Sequence, residues 1–358
     1  MKYLNRLLAL LFTVSVISMT GCGKVSDDQS KPSATQEKSI AQEEIINFRL
    51  KWLIYSSFAP HFVAIEKGYH KENGLEVSIN PGGPGLDPIK LVASGADLVG
   101  LASYDQILVA RERGIPVIAI AEDTQKSGVG FMSLKESGIR KPEDFVGRKV
   151  GVMLGTDKGT MYEALMNKAG IDRSKIEEIP IGFNLALLFE KKIEVFPAFI
   201  TNQPIVAKNK GFEVNIVDPY EYGIRPGGNV YFTSEENLKK KRDVLKRFLK
   251  GELKAIAVSQ ALPDGDVVDM VMKYNPNLDR ETEIEIWQAT KQILLQSETS
   301  LIGKMSPTTW SHTADLSLKY GLLKKTPDVD ACYTNELVEE IHDEGFVDEV
   351  NIETGQKQ

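Results

Sequence analysis

Cysteine is nearly missing from this chain: it occurs twice in 358 residues, at positions 22 and 332. With Cys22 close to the amino end, one thiol is left for the body, which excludes a disulfide framework and any site built from several cysteines. Histidine is also scarce, and His61, His70, His312 and His342 do not fall at metal-ligand spacings. The sequence contains no HExxH, no G-x-S-x-G elbow and no GxxxxGK[ST] loop. PGGPG, ending at Gly85, lacks the G-x-G-x-x-G spacing of a dinucleotide fingerprint and reads as a rigid turn. The net charge of -7 is modest and spread out, so no basic groove for nucleic acid is indicated. The one basic run, KKKR from Lys239 to Arg242, lies in an amphipathic helical pattern and reads as a solvated face. No catalytic residue, metal or cofactor is expected, and stability has to come from apolar burial.

The one long apolar run is at the start. MKYLNR, carrying Lys2 and Arg6, is followed by LLALLFTVSVI and then SMTGC, the layout of a secretory signal over residues 1–21. The run is too short for an ordinary membrane span. Its close on small residues before Cys22 resembles a bacterial lipobox, so Cys22 is expected to be diacylated and to hold the mature chain on a membrane surface. Residues 22–45 are rich in Ser, Gln, Asp, Glu and Lys and have almost no large apolar side chain, which predicts a flexible tether.

The remaining body, about 310 residues, exceeds the usual size of one compact core, so two lobes are expected. Strand-like runs alternate with helical ones: FRLKWLIY, HFVAIEKG, LEVSI, DPIKLVASG, DLVGLA, YDQILVARERG and VIAIA. A second series runs from RKVGVML to EVNIV. Both predict α/β lobes made of parallel βαβ units. GVGFMSL (128–134) and NVYFTS (229–234) read as crossings between them, and the chain beyond Ser234 reads as helical throughout. The division expected is 46–128 with 235–358 as one lobe and 129–234 as the other, joined by a hinge.

Ligands of open α/β sheets sit outside the carboxyl ends of the strands. That rule collects Tyr55 to His61, Pro81 to Asp87, Ser103 to Gln106, Gly155 to Thr160, Gly182 to Asn184 and Thr201 to Gln203. These loops carry Trp, Tyr, Phe, Asn, Gln, Ser, Thr and Gly with few free charges, a lining suited to a flat, mostly neutral heteroaromatic guest. Candidate ligand-binding residues are Trp52, Tyr55, His61, Tyr104, Asp105, Gly155, Thr156 and Tyr222. Trp52 shares the strand alternation of Phe48 and Leu50, so it reads equally as a core residue. GTDKGT at 155–160 opens a helix whose backbone N–H groups are expected to receive an anion or a polar ligand edge.

LKWLIYSSFAPHFVAIEKGYHKENGLEV, LVASGADLVGLAS, GIRKPEDFVGRKVGV, NVYFTSEENLK and CYTNELV together resemble the NMT1/THI5-like binding proteins, receptors of ABC importers, over about residues 48–337. The resemblance implies a type II periplasmic-binding-protein-like fold, a small heteroaromatic ligand between the lobes, an ABC permease as partner and a monomer. It ranks a thiamine pyrimidine precursor first as ligand, riboflavin second, and a sulfonate or nitrate-type anion third. Tyr333 to Glu336 look like the YTNE segment of the pyrimidine branch. Asn202 and Gln203 look like the family's Asn-Glu pair before Pro204, with Gln203 in place of the carboxylate. The family also includes a pyrimidine synthase that needs a pyridoxal-binding lysine, a histidine and a cysteine-rich motif. Ala102 and Gln106 occupy the first two positions and GIRPGGNVYF has no cysteine, so enzyme activity is not expected.

Overall fold

The carboxyl end of the first strand is set by a slip in its hydrogen bonding to its neighbour. β1 (Glu44–Arg49) runs parallel to β2 (Leu75–Asn80) in register from Glu44 opposite Leu75 to Arg49 opposite Asn80. Leu50 still donates to the Asn80 carbonyl at 2.9 Å, but the next donor on the neighbouring segment, the Gly82 N–H, bonds the Trp52 carbonyl at 2.9 Å, a slip that ends regular pairing. The strand expected over Phe48 to Tyr55 is therefore shifted, beginning inside the stretch read as tether and ending at Arg49. Beyond Leu50 the chain leaves the sheet. Arg49 secures this point by donating to Asp97 at 2.9 Å and to the Pro81 carbonyl at 2.8 Å. Gly82 then lies so close that a Cβ there would meet the Leu50 carbonyl oxygen at 2.5 Å, so the PGGPG turn requires glycine against Leu50 and Lys51.

The computed structural model describes residues 44–294 and 301–354. The signal segment, Cys22 and nearly all of the tether lie outside them. The described residues fall in one compact unit with two five-stranded sheets. The first has the order β2-β1-β3-β10-β4, with β3 at Val99–Ser103, β4 at Val117–Lys126 and β10 at Gly227–Ser234. The second has the order β7-β6-β8-β5-β9, from β5 (Val129–Leu134), β6 (Lys149–Val152), β7 (Glu177–Pro180), β8 (Val195–Phe199) and β9 (Val214–Val217).

The two lobes are α/β as expected, but neither sheet is wholly parallel. β10 is antiparallel to β3 and β4, and β5 is antiparallel to β8 and β9. These are the two crossing strands: each enters a sheet from the opposite lobe, and so runs against strands delivered by helical crossovers. β10 thus lies in the first sheet rather than at the close of the second series.

Each sheet buries both faces. Along β10, Tyr231 joins one apolar cluster with Phe48, Phe248 and Trp287, while Val230 and Phe232 join another with Trp310 and Leu323. Phe131 and Met132 divide the second sheet's faces in the same way. The helices after Ser234 cover the first sheet, and the YTNE segment is a seam in that packing: Tyr333 stacks on Trp310 at 5.2 Å, and Asn335 exchanges hydrogen bonds with the Met305 backbone. The basic face of the Arg242–Ala261 helix is covered as well. Arg242, Lys246, Lys250 and Lys254 pair with Glu340, Glu344, Glu349 and Glu353 at 2.6 to 2.9 Å. Within the KKKR run Lys239 to Lys241 are exposed, as a solvated face requires, and Lys240 and Arg242 are paired with Glu236 and Glu340. Each such exposed pair contributes about 0–1 kcal/mol. No helix among the described residues is long and apolar enough to cross a membrane.

The first lobe's core encloses a charged cluster. Glu252, fully buried on the same helix, accepts from His61 Nδ1 at 2.6 Å, from His70 Nε2 at 2.9 Å and from the Tyr231 hydroxyl at 2.9 Å. Asp123 lies 3.8 Å from His61 Nε2. Burial by itself opposes the charge on both His61 and Glu252, but their mutual attraction outweighs it. His61 is held above the usual histidine value, and Glu252 is drawn down to about 2. Burial pushes Asp123 up to about 6. His61 is thus a core residue and not a ligand contact: the helix Ala59–Glu66 turns its ring inward against Phe48 and Tyr231.

Glu252→Gln is expected to destabilise the protein by about 3–5 kcal/mol at neutral pH, because it leaves a buried imidazolium uncompensated. The depressed carboxyl stabilises the fold in full above its ordinary pKa of 4.5, and that contribution is lost as pH falls through about 2. The raised His61 contributes below 6.5 and loses its share as pH rises through its folded value. Urea unfolding at stepped pH is expected to show a steeper acid loss between 4.5 and 2 for the wild-type protein than for the variant.

Candidate ligand-binding cleft

The residues released from β1 come to rest in a gap of about 790 Å³ lined by both lobes. From the first lobe it receives Lys51 to Tyr55, Ser103, Asp105, Thr124 and Asn229. From the second come Met153, Gly155 to Lys158, Phe183, Phe199 and Thr201 to Gln203. The late helices hold the first wall in place. Asn275 donates to the Ile54 carbonyl at 3.0 Å, and Glu283 accepts the Ser56 N–H at 2.6 Å.

Aromatic rings face one another across the gap. Trp52 meets Phe183 with centroids 4.7 Å apart and planes at 52°. Phe183 is 57 % exposed, an unusual state for a phenylalanine whose ring is in contact. Lys158 Nζ lies 3.7 Å from the Phe199 centroid, a cation–π geometry. Tyr55 packs edge-on to Phe58, and burial pushes its hydroxyl up to about 12.

Between the rings lies a balanced set of charges. Lys51 donates to Asn229 Oδ1 at 3.2 Å and sits 4.0 Å from Asp157 Oδ2. Lys158 Nζ is 3.7 Å from Asp157 Oδ1. Burial opposes ionisation of Asp157, but Lys158 and Lys51 prevail and hold its carboxyl below the usual range. Burial and the Asp157 charge push Asp105 up, against the pull of Lys51. Burial, with Lys51 nearby, draws Lys158 down.

The start of the Asp157–Lys168 helix is not the open anion site that GTDKGT suggests. Asp157 Oδ1 accepts the Lys158 N–H at 2.8 Å, Thr156 Oγ1 accepts the Gly159 N–H at 3.3 Å, and the Thr156 carbonyl takes the Thr160 N–H. The chain's own carboxylate occupies the place where an external anion would dock.

Of the ten expected ligand residues, Trp52, Tyr55, Asp105, Gly155, Thr156, Asn202 and Gln203 line the gap. His61, Tyr104 and Tyr222 do not. Tyr104 opens its helix with its side chain turned into the core, where it donates to Glu122 and packs on Trp310 at 4.4 Å. Tyr222 packs against the second lobe's core from the Pro219–Tyr222 turn. Phe183 lies in the Gly182–Asn184 loop collected above without being singled out, and the residues missed are Lys51, Phe199, Asn229 and Asn275. Lys51 had a signal, a lone charge in an apolar run, whereas Asn275 arrives from the distant helical part with none. Among the described residues no group of three or more His, Cys, Asp or Glu side chains is placed to hold a metal ion.

The profile of the NMT1/THI5-like family matches residues 55–265. The formylaminopyrimidine-binding protein of Halalkalibacterium halodurans is 27 % identical, over 74 % of this chain and 76 % of its own. The riboflavin-binding protein RibY of Chloroflexus aurantiacus is 22 % identical over 93 % and 96 %. A 4-amino-5-hydroxymethyl-2-methylpyrimidine phosphate synthase of Legionella pneumophila is 21 % identical over 81 % and 91 %, so binding proteins and synthases both occur among the relatives. Among solved structures, a putative periplasmic sulfonate-binding protein of Methylobacillus flagellatus superposes with a TM-score of 0.65 at 12 % identity, covering 85 % of this chain and 95 % of that one. On the span of the profile match and the two-lobed fold, the chain belongs to the NMT1/THI5-like family.

Proposed function

We propose that this chain is the solute receptor of an ABC importer, held at an extracytoplasmic membrane surface through a lipidated Cys22. As a monomer, it closes its lobes on a small planar heteroaromatic nutrient and hands it unchanged to a permease. The observation that carries this reading is the pair of ring-bearing walls, Trp52 on one lobe and Phe183 with Phe199 on the other. Trp52 and Phe183 touch at 4.7 Å here, so a flat guest gains contact from both as that pair parts, and stacking contributes about 1–3 kcal/mol per ring. A ligand that touches both lobes favours their closed arrangement by its differential affinity.

Two relatives are named for planar heteroaromatic ligands, a formylaminopyrimidine and riboflavin. A thiamine pyrimidine precursor is the first candidate here. Riboflavin is the second, supported by a gap of about 790 Å³, well beyond the needs of one pyrimidine ring. The charge balance speaks against a sulfonate or nitrate, since Lys51 and Lys158 already face Asp105 and Asp157. Against a synthase stand the two positions named for its lysine and histidine. Ala102 is buried inside β3, and Gln106 is bound to Ser103, where its Oε1 accepts from the backbone N–H at 3.0 Å and the hydroxyl at 3.1 Å.

A thermal-shift panel of formylaminopyrimidine, 4-amino-5-hydroxymethyl-2-methylpyrimidine, riboflavin, taurine and nitrate tests the reading. A heteroaromatic at 100 times its Kd is expected to stabilise the protein by about 2.7 kcal/mol; a shift with the oxyanions alone would sink the proposal. Trp52→Ala is expected to weaken binding of the active compound by about 1–3 kcal/mol in a calorimetric titration.

A further inference from the structure

The antiparallel run of β10 brings its amino end to the gap. Asn229 lies opposite Ser103, the last residue of β3, and both line the gap. The backbone has little play there: a Cβ at Gly228 would meet the Thr124 carbonyl oxygen at 2.3 Å, and the Asn229 N–H donates to Thr124 Oγ1 at 2.9 Å. The side chain is engaged at both ends. Oδ1 accepts from Lys51 Nζ at 3.2 Å, and Nδ2 donates to Asp123 Oδ2 at 3.5 Å. An ammonium can only donate and an ionised carboxylate can only accept, so both partners require the same orientation of the amide. Lys51 has a second attraction within reach, the Asp157 carboxylate of the other lobe, whose Oδ2 is 4.0 Å from its ammonium. The neutral amide of its own lobe is the group it bonds directly.

We propose that Asn229 is a positioning residue of the binding gap: it holds the Lys51 ammonium on the first lobe's wall, short of Asp157, and acts on the guest through that lysine. The inference rests on the receptor reading and adds to it a charged donor with a set place. Lysine carries its ammonium on a long flexible stem, so one placed beforehand loses less freedom when a guest arrives than one spread over many rotamers. An ammonium drawn fully onto Asp157 would give its charge to the opposite lobe instead of to the guest. Asp123 fixes the amide in turn and ties the gap to the buried charges around Glu252, since it also lies 3.8 Å from His61 Nε2.

A double-mutant cycle on the full chain tests this, with Asn229→Ala, Lys51→Met and the two combined. Calorimetric titration with formylaminopyrimidine, 4-amino-5-hydroxymethyl-2-methylpyrimidine and riboflavin supplies the affinities. For the probe that binds most tightly, Lys51→Met is expected to weaken binding roughly tenfold and Asn229→Ala roughly three- to tenfold. In the Lys51→Met background Asn229→Ala is expected to add nothing, because its effect passes through the missing ammonium. Asn229→Ser serves if the alanine variant does not fold. Losses that multiply in the double variant show that Asn229 meets the guest by itself and overturn the inference, as does full affinity in Lys51→Met; both leave the receptor reading in place. A second readout needs no guest. Acetic anhydride labelling of Lys51, followed by mass spectrometry against the exposed Lys240, is expected to slow about threefold in Asn229→Ala as the ammonium settles on Asp157. An unchanged or faster rate overturns the inference. Should none of the three probes bind, the receptor reading fails, and the labelling still decides whether Asn229 places Lys51.

Discussion

A slip in one strand ladder shapes the binding face of this protein. Leu50 still donates to the Asn80 carbonyl in step with β1, but Gly82 donates to the Trp52 carbonyl, so regular pairing ends opposite Arg49 and the chain beyond Leu50 leaves the sheet. Arg49 fixes the point of departure, and Gly82 lets the turn close on Leu50 and Lys51. What leaves is the pair Lys51 and Trp52. One reaches Asn229 and the vicinity of Asp157, the other reaches Phe183. Had the strand continued through Tyr55, alternation would have put Trp52 on the same face as Phe48 and Leu50, inside the core.

Two sets of charges follow from this arrangement, and they differ in how completely they are satisfied. In the core, Glu252 receives three hydrogen bonds at 2.6 to 2.9 Å, and only the far nitrogen of His70, Nδ1, is left without a partner in that group. In the gap, the ammonium-to-carboxylate distances are 3.7 and 4.0 Å, long enough that direct hydrogen bonds are not made. Asn229 stands between the two sets, with Nδ2 3.5 Å from Asp123 and Oδ1 accepting from Lys51. A buried polar group with an unfilled hydrogen bond is expensive unless something else supplies the partner. The core set rigidifies one lobe, and the gap set keeps its hydrogen-bonding capacity for a guest.

Much of this was legible in the residues. Alternating runs of period 2 and 3.6 carried the two α/β lobes, and the two strands that looked like crossings are the ones that run against their neighbours. Seven of the ten candidates line the gap, six of them from loops collected by the rule that ligands sit at strand carboxyl ends. The failures have specific causes. His61 and Tyr104 sit at helix starts near the cleft, and only the helix rotation, unreadable from position alone, turns them into the core. The N–H groups after Gly155 looked open because a Gly-Thr turn does not reveal that the next residue's carboxylate folds back on them. Asn275 and Glu283 belong to the wall through contacts more than 200 residues apart in sequence, which no local pattern encodes.

The division of contacts between the lobes bears on binding versus catalysis. Trp52 and Lys51 belong to one lobe, and Phe183, Lys158 and Gln203 to the other, so neither half offers a complete set of rings and donors. A guest held by both gains most when they approach, which couples occupancy to closure. Catalysis requires a titratable group placed at a reacting atom with its proton free to move. His61 and Glu252 are committed to one another in the core and Asp157 accepts from its own helix, while Asp105, Lys51 and Lys158 face the gap beside the rings and offer a guest both charge and ring contact.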